Sequence, residues 1–305
     1  METRAIGSLQ VTLVGIGTNN FGKRIDDAAS LAVVHAALDE GINFFDTADV
    51  YGGTRSEELL GEGLGNRRKE AIIATKFGIP IDDQHKGGAS PAYIRQATED
   101  SLKRLKTDYI DLLQLHRPDP TVPIADTLGA LNELVQAGKV REIGCSNFSA
   151  TQLQEAEAAV KQGAARFVSV QNEYSLFNRE DEAEVMPVCA RLGIGYLPYF
   201  PLANGLLTGK YRKGQPVPQG TRLQNPGKAE LLTDENLDKV EALMKYAEAK
   251  GHSILELAFS WLATNSVIPS VIAGATSPKQ VQSNASAVNW RMTEDERAEI
   301  NAIMG

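Results

Sequence analysis

Four titratable residues lie at or just beyond the ends of short apolar runs: Asp46, Tyr51, Lys76 and His116. A tyrosine hydroxyl titrates near ~10, but a neighbouring ammonium favours its ionised form and lowers that value. Asp46 would keep Lys76 charged, Tyr51 would act as a general acid, and His116 would donate a hydrogen bond to the same carbonyl oxygen. Because no side chain supplies hydride, these residues predict carbonyl reduction with a reduced organic cofactor.

Taken singly, each residue has a simpler interpretation. Asp46 could be a cap or turn residue and Tyr51 a half-buried aromatic side chain. Lys76 could be a surface group, and His116 could be a histidine at a strand end whose hydrogen bonds are satisfied. Perturbed charged groups also occur in purely structural networks. The functional interpretation therefore depends on the four side chains meeting in space.

Eight apolar runs, each followed by a segment with helical spacing, would position these residues. The runs are residues 13–16, 42–46, 71–75, 110–115, 140–145, 167–171, 193–197 and 267–272. This alternation predicts βα units and a parallel sheet. We predict an α/β fold, a (β/α)₈ TIM barrel forming one domain over residues 1–305, in which the C-terminal strand ends surround one mouth. The alternative is an open doubly wound sheet.

Helix signals lie between the runs. They are Asp26 and Asp27 with a stop at Gly41, Ser90 before Pro91, the apolar spacing Val240, Leu243, Met244 and Ala247, and the capping box of Thr293 and Glu296. Two long irregular segments, residues 79–89 and 207–233, are predicted walls of a substrate cleft.

The composition limits the class of protein. A formal charge of -8 and a pI near 5.2 disfavour a nucleic-acid or acidic membrane surface. Two cysteines without metal-ligand spacing indicate neither a disulfide framework nor a metal site. The N-terminus lacks a signal-peptide pattern, and no apolar stretch approaches ~18 residues. We expect a cytoplasmic protein.

Several motifs resemble other sites incompletely. GIGTNNFG has Asn20 where a dinucleotide fingerprint needs glycine, and GCSNF has Phe148 where a nucleophile elbow needs glycine. Cys145 ends a buried run and suits packing. We interpret the basic run NRRK, residues 66–69, as a solvated turn.

Over nearly its whole length the chain resembles the aldo-keto reductase superfamily. The motifs DTADVYG, ATKFG, DLLQLHRPDP, GCSNFS, VQNEYS, PLANGLLTGKY and GATSPKQVQSN occur in the family's order. The resemblance implies Asp46, Tyr51, Lys76 and His116 as the catalytic tetrad, with Tyr51 as proton donor. It also implies NADP(H), bound across the barrel mouth, as the source of the pro-R hydride.

The resemblance implies further cofactor contacts. The nicotinamide carboxamide would contact Ser146, Asn147 and Gln171, with the ring on Tyr199; the pyrophosphate would lie along Leu202, Gly205, Leu207 and Lys210; and the adenosine end would lie along the segment from Gly274 to Asn284, including Thr276, Ser277 and Gln280. The predicted helix opening at Ser277 independently suits an anion.

Two positions depart from the pattern of many relatives. Thr276 replaces Arg or Lys, and Ser283 replaces Glu, which weakens the expected hold on a 2′-phosphate. Lys279 and Gln280 would compensate. We expect NADP(H), with NAD(H) as the alternative.

The expected function is reversible reduction of a small-molecule aldehyde or ketone by a monomer or weak homo-oligomer, with no nucleic-acid or membrane partner. A cofactor-binding regulatory subunit like the potassium-channel β subunits is the alternative. A third interpretation, a sugar-phosphate isomerase on the same barrel, is disfavoured because this sequence shows no obvious Glu base at the end of a predicted strand. We expect the long loops and the C-terminal segment around Trp290 to set the substrate, with Phe21 and Phe77 as apolar walls of the cleft.

Overall fold

The barrel strands follow the predicted alternation. A computed structural model describes residues 1–305, apart from the side chain of Pro226. Its eight parallel strands are β3 (Val14–Gly17), β4 (Phe44–Asp46), β5 (Ile72–Phe77), β6 (Ile110–Leu115), β7 (Val140–Ser146), β8 (Phe167–Glu173), β9 (Gly195–Tyr199) and β10 (Val271–Gly274). Each contains or overlaps a predicted run, with ends displaced by a few residues.

The strands close into a barrel. Each strand from β3 to β8 pairs in parallel with the next one along the chain, and β10 pairs with β3. At the remaining seam, Tyr196 N of β9 donates over 2.8 Å to the carbonyl oxygen of Val267, which precedes β10. The predicted barrel is confirmed, and the open doubly wound alternative is wrong.

Ten α-helices are present in the described chain. They are α1 (Asp27–Asp39), α2 (Arg55–Leu64), α3 (Pro91–Leu105), α4 (Ile124–Gln136), α5 (Ala150–Ala158), α6 (Val185–Leu192), α7 (Asp234–Ala249), α8 (Ile254–Ala263), α9 (Pro278–Ser286) and α10 (Glu294–Met304). The predicted caps act as expected: Asp26, Ser90 and Thr293 each accept a hydrogen bond from a backbone N–H of the first turn.

An N-terminal hairpin, which the sequence analysis did not predict, plugs the barrel. It consists of β1 (Thr3–Ile6) and β2 (Leu9–Thr12), which pair antiparallel. Ile6, Leu9 and Val11 pack with inward-facing residues of the barrel, including Phe44 and Leu112. The hairpin fills the N-terminal end of the barrel, so the opposite mouth is the end left for a ligand.

Two surface segments are more ordered than their composition indicated. The NRRK run lies in a 3₁₀ helix, Gly65–Glu70, and the prediction of a solvated turn is wrong for Arg68. Arg68 pairs with the buried Asp111 at 2.7 Å, because a carboxylate so deep needs a cation. The long segment 207–233 includes the short 3₁₀ helices Arg222–Gln224 and Pro226–Leu231. Nowhere in the described residues is there a helix long and apolar enough to cross a membrane.

Candidate active site

The four predicted catalytic residues come from three neighbouring strands. Asp46 is the last residue of β4, Lys76 lies near the end of β5, and His116 follows β6 directly. Tyr51 lies in the turn between β4 and α2, where its N–H donates to Ala48 O over 3.1 Å. Adjacent parallel strands end at the same edge, so the fold brings these side chains together.

Gly52 is required for the turn that carries the tyrosine. Its φ is +59°, and a Cβ at this position would lie 2.5 Å from the carbonyl oxygen of Phe21. Only glycine combines that backbone conformation with such close approach. The neighbouring Gly53 has a similar φ of +63° but open space around it.

Lys76 is buried and fully engaged. Its Nζ donates to both carboxylate oxygens of Asp46 at 2.9 and 2.7 Å and to Thr47 O at 2.8 Å. The Tyr51 hydroxyl lies 3.5 Å from the same nitrogen. Only 1% of the Lys76 side chain is exposed. The ammonium therefore has fixed partners, and the tyrosine hydroxyl is the neighbour that can exchange a proton with a ligand.

Burial and the charges of neighbouring residues shift the pKa values of Lys76 and Tyr51. Burial by itself lowers the pKa of Lys76, but attraction to Asp46 and Tyr51 and the hydrogen bonds outweigh it, so the net pKa is raised. For Tyr51 burial is the largest effect and raises the pKa, while Lys76 acts in the opposite direction. Lys76 acts in the predicted direction, but burial outweighs it, and the predicted net lowering of the Tyr51 pKa is wrong. The phenol consequently stays protonated at neutral pH.

His116 lies beside the tyrosine. The two rings meet edge to face, with centroids 6.0 Å apart. Burial, and then the positive charges of Lys76 and Arg117, lower the pKa of His116 to about 3. Its Nδ1 is buried without a hydrogen-bond partner among the described residues. The imidazole is therefore neutral at pH 7 and has unused hydrogen-bonding capacity.

A chain of hydrogen bonds joins the predicted cofactor residues to the tetrad. Tyr199 OH donates to Asn147 Oδ1 at 2.9 Å, and Asn147 Nδ2 donates to Ser146 Oγ at 3.0 Å. Ser146 Oγ donates to Gln171 O at 2.6 Å, and Gln171 Nε2 donates to Asp46 Oδ1 at 2.7 Å. These side chains are held in one arrangement at the ends of β7, β8 and β9.

The backbone at this mouth is unusual as well. Four non-glycine residues near the strand ends have positive φ: Asn147 at 61°, Phe200 at 53°, Ala203 at 46° and Asn204 at 55°. Such conformations cost about 1 to 3 kcal/mol each and cluster at functional sites.

A cavity of about 750 Å³ opens at the mouth. The predicted site residues that line it are Asp46, Tyr51, His116, Ser146, Asn147, Gln171, Tyr199, Leu202, Gly205, Lys210, Gly274, Thr276, Gln280 and Asn284. Three members of the tetrad and most of the residues predicted to contact cofactor thus face one space. Lys76 lies behind this lining and reaches it through Asp46 and Tyr51.

Two predicted cofactor residues lie elsewhere. Leu207 is fully buried in the hydrophobic core, because the 3₁₀ helix Ala203–Thr208 turns it inward. Ser277 caps α9, where its Oγ accepts from Gln280 N. The expected substrate walls are also placed differently: Phe21 and Phe77 are buried in the core, and Trp290 stacks on His252 with ring centroids 4.3 Å apart. None of these three contributes to the cavity wall.

The cavity contains cations that the sequence analysis missed. Arg24 and Arg222 line it together with Lys210. Arg24 donates to Gly220 O, and Arg222 donates to the side-chain oxygens of Asn19 and Asn20. Among the described residues none of these three cations pairs with a carboxylate. Burial, and then the charges of Arg24 and Arg222, lower the pKa of Lys210. Separation in sequence hid this cluster, since Arg24 lies in a turn and Arg222 opens a short 3₁₀ helix, and neither belongs to a recognisable motif.

The two departures at the predicted adenosine end have local consequences. Gln280 Oε1 accepts hydrogen bonds from Thr276 N at 2.8 Å and Thr276 Oγ1 at 3.1 Å. Ser283 Oγ donates to Lys279 O and also lines the cavity. Asn284 is buried, and its Nδ2 has no partner among the described residues. This end of the cavity therefore has a spare amide donor, whereas Lys279, which was expected to compensate, does not line the cavity.

Known proteins match the chain over most of its length. The sequence model of the Aldo/keto reductase family matches residues 13–304. A probable voltage-gated potassium channel subunit beta from Arabidopsis thaliana is 37% identical, covering 95% of this chain and 92% of its own. Aldo-keto reductase YhdN from Bacillus subtilis is 35% identical, covering 97% and 91%.

Solved structures agree with these matches. Glycerol dehydrogenase AKR11B4 from Gluconobacter oxydans superposes with a TM-score of 0.87 and 31% identity, over 99% of this chain and 95% of its own. That likeness extends the agreement from sequence motifs to the whole barrel. The chain belongs to the aldo/keto reductase family.

Proposed function

We propose that the protein reversibly reduces an aldehyde or ketone to an alcohol, with hydride from NADP(H) and a proton from Tyr51. Family membership supports the broader conclusion that it is an oxidoreductase acting on carbonyl compounds. One observation carries the finer proposal. The Tyr51 hydroxyl, 3.5 Å from an ammonium that Asp46 holds, faces the same cavity as His116.

The tyrosine would deliver the proton. Because its pKa is raised by burial, the hydroxyl holds a proton at neutral pH and can donate it to the carbonyl oxygen. The Lys76 ammonium then stabilises the phenolate that remains. Asp46 keeps that ammonium charged and oriented through two hydrogen bonds.

The histidine would bind the same oxygen. Neutral imidazole presents one N–H donor, and the ring lies edge to face with Tyr51. Two donors aimed at one oxygen stabilise the negative charge that develops as the carbonyl carbon is reduced. Asn147 helps fix this position, since its Nδ2 donates to His116 O over 2.9 Å.

The residues at the mouth fit a nicotinamide cofactor, which would supply the hydride from its C4 position. Ser146, Asn147 and Gln171 present amide and hydroxyl groups suited to a carboxamide, and Tyr199 presents an aromatic ring. These side chains already hold one another by hydrogen bonds, so little ordering is needed on binding.

The other half of the cavity fits phosphate. Lys210, Arg24 and Arg222 supply positive charge without carboxylate partners among the described residues, and the spare amide of Asn284 adds a donor. Aldo-keto reductases generally use NAD(P)H. The surplus of unpaired cations favours NADP(H) although Thr276 and Ser283 lack charge. Measuring KM for both cofactors tests this choice, and a clear preference for NADH would overturn it.

The test of the reaction is Tyr51→Phe. We expect NADPH-dependent reduction to fall by about 10²- to 10⁴-fold, the range for loss of a general acid. NADPH binding, followed by fluorescence, should persist because the ring remains. Tyr246→Phe is the matched control, since the Tyr246 hydroxyl donates to Glu299 at the surface and Tyr246 does not line the cavity. Full activity in Tyr51→Phe would refute the proposal.

A second candidate function comes from the relatives. The Arabidopsis protein is named as a probable potassium channel β subunit, so a regulatory role is the alternative for this chain. A panel of aliphatic, aromatic and sugar-derived carbonyls separates the two. Tight NADPH binding without multiple turnover on any of them would favour the regulatory role.

A further inference from the structure

We propose that Arg117 selects carbonyl substrates that carry an anionic oxygen group, a carboxylate or a phosphate, at a distance from the reacting carbon. The inference rests on the proposed function and names a substrate class for the same site. In this arrangement the guanidinium holds the anion while the carbonyl lies beside Tyr51 and His116.

Arg117 occupies a junction between two cavities. It follows His116 directly at the end of β6 and lines the main cavity. It is also the one described residue shared with a neighbouring cavity of about 770 Å³. That second cavity lies between the segment after β5, which includes Lys86, and the segment after β6, which includes Asp119. A substrate that reaches from the tetrad into the second cavity would lie beside Arg117.

The guanidinium is available for a ligand. Among the described residues it has neither a hydrogen-bond nor an ion-pair partner, although a guanidinium carries five N–H donors. Asp119 is the only carboxylate among the described residues that line the second cavity, and both of its oxygens already accept hydrogen bonds from neighbouring residues. Its oxygens accept hydrogen bonds from Ala89 N at 2.8 Å, Thr121 N at 2.9 Å and Thr121 Oγ1 at 2.6 Å. Among the described residues, therefore, no carboxylate that lines either cavity forms an ion pair with Arg117.

The second cavity is positive in a negatively charged protein. Its charged lining consists of Lys86, Arg117 and the engaged Asp119, whereas the whole chain carries a formal charge of -8. An anionic substrate would be repelled by most of the surface and attracted here. Arginine also binds carboxylate and phosphate through paired N–H donors, which gives direction as well as charge.

Arg117 is close enough to affect the reacting groups. Its charge contributes to the low pKa of His116, after burial and Lys76. It also opposes the rise in pKa that burial causes at Tyr199. Because Arg117 follows His116 in the chain and lines the same cavity, an anion bound to it would share that cavity with the carbonyl.

The experiment compares substrates that differ in charge. 4-Carboxybenzaldehyde and its methyl ester, methyl 4-formylbenzoate, share the reacting aldehyde. Glycolaldehyde phosphate and glycolaldehyde provide the phosphate comparison. We expect the wild type to favour the anion of at least one pair in kcat/KM, and Arg117→Gln to reduce that preference at least about tenfold, chiefly through KM. Arg117→Lys should retain part of it.

The control is Arg95→Gln, which removes an exposed arginine of α3 that pairs with Glu133. It should leave the preference ratio unchanged, since Arg95 lines neither cavity. Equal losses for charged and neutral substrates in Arg117→Gln, or a wild type without preference for an anion, would overturn the inference. If the wild type reduces carbonyls of the wider panel but none of these four aldehydes, the inference fails and the proposed function stands; no turnover on any carbonyl would refute both.

Discussion

Replacing Lys76 with methionine tests the electrostatic basis of the site. Methionine keeps the apolar stem but removes the ammonium that donates to Asp46 and Thr47. The Asp46 carboxylate, 6% exposed, would then keep only Gln171 Nε2 at 2.7 Å. A buried carboxylate without its cation is costly, so the protein should be destabilised even though no packing is lost.

The magnitude follows from the burial of the pair. Removing one partner of a buried ion pair costs about 3 to 5 kcal/mol in unfolding free energy. Asp46→Asn leaves the ammonium in the same position and should cost a similar amount. The double variant buries no unpaired charge, so its cost should fall below the sum of the single variants by about 1 to 3 kcal/mol.

The assay is urea unfolding at pH 7, followed by circular dichroism, for the wild type and the three variants. The coupling energy is the double variant's loss minus the two single losses. If the single losses add to within about 0.5 kcal/mol, the pair is not coupled and the reasoning is refuted. Carbonyl reduction should be lost in all three variants, so activity cannot substitute for the stability measurement.

Three further predictions concern the turn and the titrating groups. Gly52→Ala should cost more stability and activity than Gly53→Ala, because only at Gly52 would the Cβ meet the carbonyl of Phe21; equal effects in urea unfolding would contradict this. His116 has a folded pKa of about 3 against an ordinary 6.5, so its contribution is full above 6.5 and lost as pH falls toward 3. As pH falls through that window, the unfolding free energy of His116→Asn should therefore decrease less than that of the wild type, by about 1.4 kcal/mol per pH unit at most. Equal decreases in the variant and the wild type would count against this prediction. Burial, and then a nearby carboxylate, raise the pKa of Asp49 from 3.8 to about 7, so its contribution is full at low pH and lost as pH rises through that range. As pH rises from 4 to 7, Asp49→Asn should become more stable relative to the wild type. If the difference between their denaturant midpoints stays constant over this range, the prediction is wrong.

Local sequence was sufficient for much of the fold. The eight strands were predicted from short apolar runs, and helix starts such as Ser90 and Thr293 from caps that act within one turn. These signals depend on neighbours a few residues apart, which is why the sequence displays them. The same is true of Asp46 and His116, whose positions at strand ends are readable once the strands are recognised.

Interactions between distant segments could not be predicted in this way. The hairpin β1–β2 is short and weakly patterned, and it is stable because it packs into the barrel. Arg24 and Arg222 stand nearly two hundred positions apart, yet they share one cavity. The net pKa of Tyr51 depends on burial, which has no counterpart in the order of residues.

The sequence by itself determined the alternation of strands and helices and the four reactive residue types at the strand ends. Only the tertiary structure decided which cations face the cavity, that Leu207 turns into the core, and that Arg117 joins two cavities. The physical reason is the distance along the chain over which each kind of interaction acts. Hydrogen-bonded caps and periodicity act over a few residues, whereas desolvation and charge act through space, once the barrel has brought distant loops together.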